Sequence, residues 1–183
     1  MTGPKSLASI VAAMVGSVVL LVPVMIGAAA AGLGLGSSSP ADVAPTTARP
    51  IPADYLALYQ QAAPTCPSLS WTVLAAIGTI ESGNGTSTAP GVHSGANYAG
   101  AEGPMQFEPA TFAEYANPVP PGGANPPSPY DPTDAIYAAA RLLCANGARN
   151  NTNLSGAIYA YNHADWYVTE VLNLAARYAA SAN

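Results

Sequence analysis

Residues 70–83 read Ser70-Trp71-Thr72-Val73-Leu74-Ala75-Ala76-Ile77-Gly78-Thr79-Ile80-Glu81-Ser82-Gly83. Apolar residues fill nearly every position from Trp71 to Ile80, so a helix here is buried all round rather than amphipathic. Ser70 is a favoured N-cap and Gly83 a favoured left-handed exit, which bounds the helix at Ser82. Thr72 and Thr79 mark its one polar stripe. Glu81 lies two residues beyond Thr79, about 200° further round the helix, and so falls in register with Leu74, Ile77 and Gly78 on the opposite side. A domain organised around such a helix is mainly α, with one acid placed on an inner stripe.

A carboxylate in that position costs free energy unless it has a partner or a task. It also stands at the C-terminal end of its helix, where the macrodipole is already negative. Desolvation and the dipole both disfavour ionisation and raise the pKa. A general acid working near neutral pH needs such a shift. The bland alternative is a frayed last turn that lets Glu81 reach water. Gly83, Gly85 and the polar run Thr86-Ser87-Thr88 favour a cleft rim instead.

Outward from this helix, the pattern predicts others separated by Gly/Pro/Asn loops. Pro52–Ala63 carries Tyr55, Leu58, Tyr59 and Ala62 on one stripe and stops at Pro64. Pro109–Ala116 starts with Pro in its first turn. Asp131-Pro132-Thr133-Asp134 opens a helix running to about Asn146, before Gly147. Leu154–Tyr161 and Trp166–Ala180 complete the set, and Asp131, Asp134 and Asp165 read as caps. Only Val92–Tyr98 has the alternation of a hairpin. Cys66 and Cys144 lie far apart in sequence, and two cysteines in an exported domain most often pair. The rival, a Cys–His nucleophile with His93 or His163, is disfavoured because Cys144 sits on an apolar helical face with no Gly-rich elbow.

Export is read from the N-terminus. No charge occurs from Leu7 to Leu35, a stretch longer than the roughly 20 residues a bilayer requires. Lys5 precedes it and Asp42 is the next charge, which orients the N-terminus to the cytoplasm. Its length favours an uncleaved anchor over a cleaved signal, although Ala28-Ala29-Ala30 would suit a peptidase. The expected organisation is therefore an anchor or signal over 1–36, a Ser/Thr/Pro-rich linker over 37–50 and a folded domain over 51–183. Both readings place that domain outside the cell, held at the membrane or secreted.

Of the 183 residues only 8% are charged. Soluble domains run near 25%, so this one is solvated by Ser, Thr, Asn, Gln and Tyr. Ten acids against five bases give net −5, which argues against a nucleic-acid binder that neutralises phosphates. Two cysteines alone make no zinc site, and His93 and His163 lack a carboxylate framework, so neither metal nor cofactor is assigned.

Two further segments complete a chemical pattern. Gly103-Pro104-Met105-Gln106-Phe107 follows a Gly-rich loop, and Ala160-Tyr161-Asn162 ends a helix. A Gln and a Tyr–Asn pair at element ends can hydrogen-bond a neutral ligand rich in hydroxyls and amides. Ten tyrosines, against two Phe and two Trp, suit stacking on sugar faces.

Glu81-Ser82, Gly103-Pro104-Met105-Gln106 and Ala160-Tyr161-Asn162, in that order, resemble the three-motif signature of the soluble lytic transglycosylases and goose-type lysozymes. The resemblance covers most of 51–183 and is nearest to actinobacterial murein hydrolases. It implies a lysozyme-like, mainly α fold acting on peptidoglycan, with Glu81 as general acid and then base. It further implies that Ser82, Met105 and Gln106 shape the pocket, with Gln106 touching an N-acetyl group. Tyr161 would orient Glu81, and Asn162 would hold the turn or bind sugar. Pro104 where Leu is usual, His163 where Ala is frequent, and a Pro-rich loop over Asn117–Pro132 are departures; that loop reads as a stiff cleft wall or a plain surface loop. Within the family, a hydrolase would need a second carboxylate, for which Glu108 and Glu102 are candidates. A reading of another class is a non-catalytic, wall-binding scaffold for an export or conjugation machine.

Overall fold

The computed structural model describes residues 50–182. The segment read as an anchor or signal, and the linker up to Arg49, lie outside the described residues. Among the described residues no helix is long and apolar enough to cross a membrane.

Among the described residues six α-helices build the domain: α1 (Ala53–Ala62), α2 (Trp71–Ser82), α3 (Pro109–Tyr115), α4 (Pro132–Leu143), α5 (Leu154–Asn162) and α6 (Asp165–Ser181). As its composition requires, α2 is central, packed by α1, α4 and most extensively α6. Leu74, Ala75, Ala76 and Ile77 lose all contact with water. The ends of α2 are set as the sequence indicates. The Ser70 hydroxyl accepts the Thr72 N–H at 3.3 Å. At the other end Gly83 takes φ 61°, and the Asn84 N–H returns to the Gly78 carbonyl at 2.8 Å.

The polar stripe of α2 is interior rather than solvated. The Tyr59 hydroxyl donates to Asn84 Oδ1 at 2.8 Å, Asn84 Nδ2 donates to Thr79 Oγ1 at 3.0 Å, and Thr79 pairs with the Tyr178 hydroxyl at 2.8 Å. This relay joins α1, α2 and α6 and satisfies buried groups that would otherwise destabilise the core. Gly78 makes room for it, since a Cβ there would collide with the Tyr59 hydroxyl. Ala is the better helix former by about 1 kcal/mol. Gly78→Ala is nevertheless expected to destabilise the domain by about 1–2 kcal/mol in urea unfolding, because overpacking outweighs propensity. An unchanged or raised midpoint would contradict this account of the α1–α2 contact.

Cys66 and Cys144 form a disulfide, with Cα atoms 5.4 Å apart and 78 residues between them in sequence. Closing a loop of that length stabilises the fold by about 4 kcal/mol on a chain-entropy model. The bridge removes both thiols and with them the cysteine-nucleophile alternative.

The helices differ from expectation in detail. α4 ends at Leu143, and a wider turn over Cys144–Ala148 follows, with Gly147 at φ 116°. Val92–Tyr98 forms turns and bends rather than a hairpin, and Gly91 and Gly95 at its start take positive φ. The β pairing among the described residues is one bridge between Glu102 and Phe107. Asp131 caps α4 as expected, accepting N–H groups from Thr133 and Asp134. Asp165 instead begins α6, whose N-cap is Ala164 without a side-chain bond.

Asp134 is not a cap either. Its fully buried carboxylate reaches back over the Pro-rich loop, and Oδ2 accepts the Ala124 N–H at 3.1 Å and the Ser128 N–H at 2.9 Å. Arg141 holds the other end of that loop through the carbonyls of Tyr115, Ala116 and Pro118. The loop is thereby a fixed wall. Gly103, at φ 76°, has no room for a Cβ because the Pro129 carbonyl occupies that space, so the wall presses directly on the Gly103–Gln106 turn.

Candidate active site

Three segments distant in sequence meet at the C-terminal end of α2. Ser82, buried, donates its hydroxyl to the Pro104 carbonyl at 2.6 Å and accepts the Gly85 N–H at 2.8 Å. That pair of bonds ties α2 to the Gly103–Gln106 turn. Met105 is fully buried within the turn, and its carbonyl accepts the Tyr161 hydroxyl from α5 at 2.9 Å. Gln106 stands in the left-handed region at φ 50°. Its Nε2 donates to the Gly103 carbonyl at 2.8 Å and its Oε1 accepts from Asn97 Nδ2 at 2.9 Å. The amide thus braces the turn against the Gly-rich loop, with one of its two N–H groups left over for a ligand. Asn162 closes α5, half-buried, and His163 follows as an exposed left-handed cap.

Glu81 stands where these segments converge. Part of its surface remains open to solvent, yet its carboxyl is enclosed by protein, and burial pushes its pKa up to about 7. One group opposes the shift: the Tyr167 hydroxyl, from the first turn of α6, donates to Oε1 at 2.5 Å. Neither influence is a neighbouring carboxylate. Near neutrality such a group exchanges a proton in either direction, as an acid that must later act as a base requires.

A family model described as transglycosylase SLT domain matches residues 59–182. The chain belongs to that family. No curated protein and no solved structure matches it.

Within this SLT domain the acid's direct partner is Tyr167, not Tyr161. The rings of the two tyrosines stack at 6.4 Å with 5° between their planes. Tyr161 therefore supports Tyr167 from one side while its own hydroxyl serves Met105. Burial, and after it the Glu81 charge, raises both phenols above their ordinary range, so each remains a hydrogen-bond donor. Sequence reasoning missed Tyr167. A signal existed, since Tyr167, Val171, Leu174 and Tyr178 form one stripe of α6 and all are buried. A phenol on a core-facing stripe must find a polar partner.

The two candidate second carboxylates have different surroundings. Glu108 is exposed at the N-terminus of α3. Glu102 pairs its backbone with Phe107, and its side chain acts on the Tyr130 hydroxyl of the Pro-rich loop. A cavity of about 250 Å³ lined by Ile51, Leu56, Gln60, Trp71 and Tyr178 opens at the opposite end of α2 and takes no part in the site.

Tyr167→Phe removes the bond that favours the Glu81 carboxylate. The carboxyl pKa must then rise above about 7. The alkaline limb of the activity profile is expected to move up by on the order of one pH unit, with a lower maximal rate. A limb that stays in place, or moves to lower pH, would show that this hydroxyl does not tune the acid.

Proposed function

We propose that this chain is a peptidoglycan lytic transglycosylase that cleaves the β-1,4 bond between N-acetylmuramic acid and N-acetylglucosamine. Family membership supports the substrate and the reaction class. The observation that supports the mechanism is the enclosed carboxyl of Glu81, with a raised pKa and a hydroxyl partner in Tyr167.

Protonated Glu81 gives its proton to the oxygen linking the two sugars. As that bond breaks, positive charge develops at the anomeric carbon of the muramic acid. The 6-hydroxyl of the same sugar attacks this carbon and passes its proton to the Glu81 carboxylate. The products are a free 4-hydroxyl on one fragment and a 1,6-anhydro end on the other, and Glu81 is protonated again. No protein nucleophile is required, nor a second carboxylate to activate water. The apolar segment over 1–36, read as an anchor, would hold the domain outside the membrane within reach of the wall.

Mass analysis of fragments released from purified sacculi tests the proposal. Anhydro ends are one water lighter than the reducing ends a hydrolase leaves. Reducing ends alone would replace the transglycosylase with a muramidase. Intact sacculi would leave the wall-binding scaffold as the surviving account.

A further inference from the structure

Trp166 is 47% exposed in the first turn of α6. It stands at the solvent end of a continuous series of rings. Phe112 meets Phe107 at 5.8 Å, Phe107 meets Tyr161 at 5.7 Å, and Tyr161 stacks on Tyr167 at 6.4 Å. Trp166 then contacts Tyr167 edge to face at 5.7 Å. The series begins in the core at buried Phe112, passes the residue that holds Glu81, and ends on an indole open to water. Each inner ring packs against its neighbours, so Trp166 is presented on a packed support next to the tyrosine that bonds Glu81.

We propose that Trp166 is a glycan subsite, its indole face stacking on the apolar face of an N-acetylglucosamine unit of the strand held against Glu81. This rests on the glycan-cleaving function proposed above and adds to it a residue and a sugar. An indole takes up the C–H face of a sugar while the ring's hydroxyls stay hydrated. The surroundings favour the uncharged sugar over the peptide-bearing one. Asp165 and Glu170 stand exposed on the same stretch of helix, and the Glu170 charge is felt as far as Tyr167. Peptide carboxylates would be repelled there, whereas a neutral N-acetylglucosamine is not.

The chain has two tryptophans, and Trp71 lies at the far end of α2, about 15 Å along the helix from Glu81. Fluorescence therefore reports on Trp166 with little interference. The test uses the full chain in mild detergent, carrying Glu81→Gln so that the probe survives, titrated with chitotetraose. Saturable change in tryptophan emission is expected, and Trp166→Phe added to that background should abolish it. Measured calorimetrically, Trp166→Ala should weaken Kd about tenfold, with Trp166→Tyr restoring most of the loss. In the otherwise wild-type chain acting on sacculi, Trp166→Ala should raise KM and leave kcat and the alkaline pH limb unchanged. A merely structural role, acting through Tyr167, would move that limb instead. An emission change that survives Trp166→Phe, or a Kd unaffected by Trp166→Ala, overturns the subsite. If the wild-type chain cleaves sacculi but chitotetraose does not bind, the subsite fails and the enzyme stands. If the wild-type chain cleaves nothing, the function proposed above falls and the subsite with it.

Discussion

Glu81→Gln should reduce glycan cleavage by roughly a thousandfold or more, within the range general acid catalysis supplies, while leaving the fold intact. Gln matches the shape of a protonated Glu and still accepts the Tyr167 hydrogen bond, but it has no proton to give. The same substitution reads out the energetics of the site. Glu81 ionises near 4.5 in the unfolded chain and at about 7 in the folded one. The folded state therefore holds its proton more tightly. The stability linked to it is fully present below about pH 4.5 and is lost as pH rises through about 7. A shift of this size corresponds to on the order of 2–3 kcal/mol once the partial exposure of the residue is allowed for. Urea unfolding of the wild type between pH 4 and 8 should show that decline, and Glu81→Gln should remove it. The variant should accordingly be the more stable protein at pH 8. Equal slopes in the two chains would mean that the carboxyl is solvated and that the site lacks its proton donor.

How much of this was legible in the sequence depends on how locally each feature is determined. The bounds of α2 follow from Ser70 and Gly83, which act on backbone groups a few residues away, and they were read correctly. The enclosure of the Glu81 carboxyl was readable because its conflict with a buried stripe is visible along a single helix. The hairpin expected over Val92–Tyr98 failed for a local reason, since Gly91 and Gly95 turn the chain before two strands can pair. Tyr167 was not found because its role depends on the rotation of α6 against α2, which no spacing within either helix encodes. Asp134 misled for a related reason. A carboxylate in the first turn of a helix serves equally to cap it or to reach a distant loop, and only the path of residues 117–131 decides between them. The Tyr59–Asn84–Thr79–Tyr178 relay also lay beyond pattern reading, because its members come from two helices, a turn and a third helix.

Among side-chain hydrogen bonds, the largest loss of stability is expected at Asp134. Asp134→Ala deletes the acceptor for the backbone N–H groups of Ala124 and Ser128, which sit half-buried within the Pro-rich loop. Hydrogen bonds to a charged group contribute about 1.5–3 kcal/mol each, and the half-buried loop donors left behind are only partly satisfied by water. A destabilisation of about 3–4 kcal/mol follows, measurable by chemical denaturation. Asp134→Asn separates charge from shape. Its amide oxygen can still accept both bonds, while its NH2 falls where Oδ1 now has no partner, close against Gly123. About half the loss is expected there, because the bonds persist without the charge and a donor is buried unpaired. The consequences reach the site through one contact. Freed from Asp134, the loop no longer holds the Pro129 carbonyl against Gly103, and the turn carrying Met105 and Gln106 loses its outer wall. Hydrogen exchange should quicken at Ala124 and Ser128 first, and KM for glycan should rise before kcat falls, since Glu81 and Tyr167 lie on other elements. If Asp134→Ala unfolds at the wild-type midpoint with the two amides still protected, the loop is held by Arg141 and its prolines, and the buried carboxylate is not the clamp that fixes this side of the site.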